Sequence, residues 1–65
     1  MKKQHMFREL FAECETGARV DVDVYKQFDR YEITVNDMFY CTCENLNEVD
    51  DEIEDIKEEY NLMCA

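Results

Sequence analysis

The sequence predicts an α+β fold in the order helix, three-stranded antiparallel sheet, helix (αβββα), with both helices on one face of the sheet and residues 1–65 in a single domain. Three observations carry this. Apolar residues recur at helical spacing near both ends of the chain, and they alternate with polar residues in the middle. The turn-formers Gly17, Asn36-Asp37 and Asn45 fall between those stretches.

Lys3 to Cys14 reads as the first helix, with Met6, Phe7, Leu10, Phe11 and Cys14 along one side and Gly17 just past its end. Arg19 to Tyr25 alternates Val20, Val22 and Val24 against Asp21, Asp23 and Tyr25, the pattern of a half-buried strand. Tyr31 to Val35 alternates in the same way. A four-residue loop, Lys26 to Asp29, sets Val24 opposite Tyr31 and Val22 opposite Ile33, and therefore Asp23 opposite Glu32 on the open face. After the Asn36-Asp37 turn, Met38 to Glu44 is the third strand. A two-residue turn aligns Met38 and Tyr40 with the valines; a three-residue loop aligns Phe39, Cys41 and Cys43 with them. The second register is preferred, because it buries a phenylalanine and two thiols.

Glu44 to Tyr60 holds the closing helix. Leu46, Val49, Ile53, Ile56, Tyr60 and Met63 form its stripe, and Asn45 with Glu48 three residues on is a capping box. Residues 44–59 also carry nine carboxylates against Lys57, a net −8 out of −10 for the chain. At about 1.5 Å of rise per residue that is roughly one carboxylate per 2.7 Å, between the roughly 3.4 Å of one DNA strand and the roughly 1.7 Å of the duplex.

A 65-residue chain is near the lower limit for folding without a metal, disulfide or second copy. Such acidity disfavours direct binding to nucleic acid or to an anionic membrane and favours a basic partner. No apolar run is long enough to span a membrane, so a cytoplasmic location with reduced thiols is expected. The candidate partner-binding residues are Glu48, Asp51, Glu52, Asp55, Glu58 and Glu59 on the helix. Asp21, Asp23 and Glu32 form a second patch on the sheet, with Tyr25 and Tyr40 beside it as anchors. Repulsion within the helix, and between Asp23 and Glu32, is then tolerated because a basic partner relieves it.

Catalysis is not expected. His5 is the only histidine and has no nucleophile at a suggestive spacing, and the carboxylates lack a pocket to separate their pKa values. Cys41 and Cys43 point to one side of a strand and invite comparison with a zinc site completed by Cys14, Cys64 or His5, but core packing is the simpler reading. Neither Asp21-x-Asp23 nor the run from Asp50 to Asp55 has the spacing of a calcium loop, so no metal or other cofactor is expected.

The order of a short helix, three antiparallel strands and an acidic closing helix resembles small phage-encoded anti-CRISPR proteins that act as DNA mimics. The resemblance spans nearly the whole chain, is architectural and transfers no site residue. It implies a non-enzymatic inhibitor in the host-cell cytosol that blocks the basic DNA-binding cleft of a target such as an RNA-guided nuclease. Other DNA mimics, directed at restriction enzymes, glycosylases or transcription factors, fit the charge equally well. A monomer is expected. The alternative is a small self-associating regulator, antitoxin-like, whose helix stripe forms a dimer and whose acidic face is merely solvated.

Overall fold

The computed structural model describes residues 3–64. Its elements are β1 (Gln4–Glu13), β2 (Arg19–Gln27), β3 (Arg30–Val35), β4 (Met38–Cys43), α1 (Leu46–Glu59) and β5 (Leu62–Cys64). The strands form one curled antiparallel sheet in the order β4-β3-β2-β1-β5, with α1 packed in its hollow. This corrects the expected class: the fold is mostly β, with five strands and one helix, not three strands between two helices.

The largest difference lies at the start. Residues expected to form the first helix are the strand β1, paired with β2 from Gln4↔Lys26 to Ala12↔Arg19. A spacing of four fits both periods, because residues four apart share a face of a helix and also of a strand. Phe7 and Phe11 accordingly face the core, while Arg8 and Leu10 lie on the open face. The buried strand β2 settles the choice. With β3 on one side, its other row of backbone groups needs a partner, and β1 supplies it. Gly17 sits at φ 75° in the β1–β2 connection, where its N–H donates to the Glu13 carbonyl at 2.8 Å, and it caps no helix.

The strand registers also differ from expectation. The β2–β3 loop is two residues, Phe28-Asp29, so Val24 lies opposite Ile33 and Asp23 opposite Thr34. Phe28 takes up a left-handed backbone at φ 58°, which bulky residues disfavour, and for that reason the sequence does not announce this turn. Asn36 and Asp37, at φ 52° and 65°, make the tight turn into β4. The preferred three-residue loop is therefore incorrect, and Phe39 faces outward at 65% exposure. A bulge at Tyr40, between the pairs Thr34↔Phe39 and Ile33↔Cys41, then restores Cys41 and Cys43 to the core side.

The closing helix lies where its spacing predicts, but its buried stripe is shorter than expected, with Leu46 and Tyr60 exposed at its two ends. Val49, Ile53 and Ile56 are buried with Phe11, Val20, Val22, Val24, Ile33, Val35, Cys43 and Leu62 in one cluster. Glu48 N–H donates to Asn45 Oδ1 at 2.9 Å, and the Glu48 carboxylate accepts from Glu44 N–H at 3.5 Å and Asn45 Nδ2 at 3.3 Å. Asn61, at φ 53°, ends the helix, and its carbonyl accepts from Cys14 N–H at 2.9 Å. The chain then turns back as β5, so Met63 belongs to a strand and not to the helix stripe. No helix among the described residues is long and apolar enough to cross a membrane.

Candidate functional site

At about 100° per residue, the positions of α1 relative to its buried side follow directly. Asp51, Asp55 and Glu58 point away from the core and are exposed, and none makes an ion pair among the described residues. Glu48, Glu52 and Glu59 share one shoulder, which lies over β4. There Tyr40 Oη donates to Glu59 Oε2 at 3.2 Å, and the Cys41 thiol points to Glu52 Oε2 at 3.9 Å. Burial, the charge of Glu59 and that hydrogen bond push the Tyr40 phenol up to about 12. Burial and the neighbouring Cys43 and Glu52 push the Cys41 thiol up to about 12, and burial chiefly raises Cys43 as well. Both thiols are thus held protonated at neutral pH, and Cys43 is a core residue.

The six helix carboxylates and Tyr40 are therefore brought together. The predicted sheet residues are not among them: Asp21, Asp23, Tyr25 and Glu32 lie on the opposite face of the sheet. Nor do they form an acidic patch. Glu32 faces Tyr25 across the strands and takes the Lys3 ammonium at 2.6 Å, and Asp21 takes Arg19 Nε at 2.8 Å. Asp23 is fully buried. Its Oδ1 accepts from Arg8 Nε at 2.8 Å, and His5 Nε2 lies 2.9 Å from the same oxygen, which places a proton on that nitrogen. Burial alone would raise the Asp23 carboxyl, but the hydrogen bonds from Arg8 and His5 outweigh it and hold its pKa below the ordinary carboxylate value. The expected Asp23–Glu32 repulsion does not exist, because a register shifted by two residues replaces it with Asp23–Thr34.

Sequence reasoning missed the cations that perform this neutralisation. Lys3, His5 and Arg8 fall within the helix that the sequence predicts, and only the pairing of β1 with β2 places them over Asp23 and Glu32. It also missed Glu13 and Glu15, which join Glu59 and Tyr60 around a shallow hollow of about 350 Å³ at the end of α1. A zinc site through Cys41 and Cys43 would need ligands from other elements. His5 is on the far face of the sheet, Cys14 is exposed in the β1–β2 connection, and the Cys64 side chain lies outside the described residues. Among the described residues no three His, Cys, Asp or Glu side chains gather to hold a metal ion.

No family model matches the chain, and neither the curated proteins nor the solved structures include a match to it. The resemblance to anti-CRISPR DNA mimics was carried by element order, and the order observed is a different one.

Proposed function

We propose that the chain is a non-enzymatic inhibitor that presents α1 to the basic nucleic-acid-binding cleft of another protein and keeps nucleic acid out of it. One observation carries this reading: the charges are segregated. Asp21, Asp23 and Glu32 on the open face of the sheet are matched by the chain's own cations, whereas the outward arc of α1 carries Asp51, Asp55 and Glu58 without an ion pair among the described residues. Lys57, in the last turn, is bound to Glu54 at 3.2 Å and offsets little of that charge. Glu58 and Glu59 also sit at the helix end where the dipole repels anions. A partner supplying lysines and arginines would relieve both effects, and its attraction would be strong at low salt and screened at high salt.

The test is displacement of labelled duplex DNA from a panel of basic DNA-binding proteins comprising RNA-guided nucleases, restriction enzymes, glycosylases and transcription factors. Displacement by the parent protein, weakened at least tenfold both by about 0.5 M salt and by the triple change Asp51→Asn, Asp55→Asn, Glu58→Gln, supports the proposal. No displacement from any of them, or binding indifferent to salt, overturns it.

A second reading has one observation in its favour. The open sheet face pairs its charges and exposes Leu10, Phe39 and Met63, so two copies of this acidic chain could meet there without repulsion. Self-association through the helix stripe is not available, because Val49, Ile53 and Ile56 are in the core. Light scattering at micromolar concentration separates the two readings: a stable dimer lost on Phe39→Asp favours self-association.

A further inference from the structure

On the open face of the sheet a row of side chains crosses four strands: Arg8 on β1, Asp23 on β2, Thr34 on β3 and Phe39 on β4. Two polar atoms in the middle of this row, Asp23 Oδ2 and Thr34 Oγ1, are buried without a hydrogen-bond partner among the described residues. Buried polar groups are nearly always satisfied, so an adjacent pair of orphans calls for an explanation. Thr34 lines a hollow of about 390 Å³ whose other walls are Lys3, Tyr25, Glu32, Asp37 and Phe39. The hollow thus has two carboxylates and two aromatic rings on its walls and, buried beneath its surface, the unpartnered Thr34 hydroxyl. It also shows how it treats a cation, for the Lys3 ammonium lies 2.6 Å from Glu32 Oε2 and 6.0 Å from the centre of the Tyr25 ring.

We propose that this hollow seats an arginine side chain of a basic partner protein, with Lys3 as a resident stand-in that the guanidinium displaces. A guanidinium fits better than an ammonium. Its flat face stacks on aromatic rings such as Tyr25 and Phe39, and its five N–H donors can serve Glu32, Asp37 and Thr34 Oγ1 together. A threonine hydroxyl both accepts and donates. Cross-strand Cβ atoms on one face are about 4.5 to 5.5 Å apart, so a rotated Thr34 hydroxyl can give its own hydrogen to Asp23 Oδ2 while its lone pair accepts a ligand N–H. One incoming donor then satisfies both orphans. The seat rests on the reading of a basic partner, but it lies on the other side of the sheet from α1 and is testable apart from it.

The experiment is a titration of the ¹⁵N-labelled full chain with the capped peptide acetyl-Gly-Arg-Gly-amide, and with its lysine counterpart, at about 0.15 M salt to suppress long-range attraction. Saturable shifts centred on Tyr25, Glu32, Thr34 and Phe39 are expected, with the arginine peptide binding more tightly. Lys3→Ala should tighten binding about threefold, and the pair Glu32→Gln, Asp37→Asn should weaken it at least tenfold in a chain whose spectrum stays dispersed. Thr34→Val should weaken it while leaving the rest of the spectrum in place. The helix triple variant should bind the peptide as the parent does, even if it no longer displaces DNA, so failure of the helix interface and failure of the seat are distinct outcomes. Shifts confined to α1, shifts that never saturate, or indifference to Lys3→Ala and Thr34→Val would overturn the proposal.

Discussion

The two faces of the molecule hold their carboxylates on opposite terms. On the sheet, Asp21, Asp23 and Glu32 each meet a cation, Arg19 from the same strand and Arg8 and Lys3 from the start of the chain, and Asp23 is buried with its charge matched. On α1, acids three and four residues apart face each other and the solvent, with Lys57 the one basic residue in the helix. Carboxylates on the first face belong to the fold, and those on the second are tolerated by it. Identical chemistry therefore has opposite structural worth, which substitution can measure.

The common core sets the largest effect. Ile33→Ala on the sheet and Ile53→Ala on the helix each remove a side chain from one shared cluster, and each is expected to cost about 2 to 5 kcal/mol. Chemical denaturation of both variants checks this; a loss from only one of them would mean that the two layers do not share a core. Next comes Asp23. Its folded pKa is depressed, so the stability it contributes is complete above the unfolded-state carboxylate value and is lost as pH falls through the folded value. Thermal melts between pH 7 and 2 should show that acid-side loss in the parent and a shallower one in Asp23→Asn, whose midpoint at neutral pH should be lower.

Phe28→Gly should stabilise the chain by roughly 0.5 to 1 kcal/mol, since glycine accepts the left-handed backbone that phenylalanine resists and the 70%-exposed ring has little packing to lose. A fall in melting temperature would show that the ring contributes to the sheet after all. The smallest effects divide the faces most directly. Asp51→Asn with Asp55→Asn should raise stability by a few tenths of a kcal/mol by removing like-charge repulsion. Glu32→Gln should lower it by a similar amount, because its partner is Lys3 and not a second acid. Equal signs for the two changes would erase the distinction between the faces.

The sequence made the helix legible because its signals agree: the Asn45 and Glu48 cap, the stripe through Val49, Ile53 and Ile56, and the acids outside it all point to one orientation. Strand β2 was legible from Val20, Val22 and Val24 for the same reason. Strand β1 was not, because Phe7 and Phe11 satisfy both periods and the decision lies with β2, a partner distant in sequence. Register was lost at Phe28, a residue that carries no turn signal, and Phe39 was misplaced because a bulge at Tyr40 lets two residues oppose one. These errors produced the false acidic patch on the sheet. The six helix acids were read from local pattern alone; Tyr40, expected beside the sheet patch, lies with them instead, and that contact and the pairing of Asp23 with Arg8 could only come from tertiary structure.

The bulges have a further consequence. The sheet has two open borders, β4 along its length and the part of β1 before Phe11, which β5 does not reach. Each border is interrupted, β4 at Tyr40 and β1 between His5 and Phe7. A straight, unpaired border is a template on which further strands add, and an irregular one is not. An irregular border of this kind disfavours edge-to-edge addition, so straightening either one should leave the net charge as the chain's main defence against association through its strands.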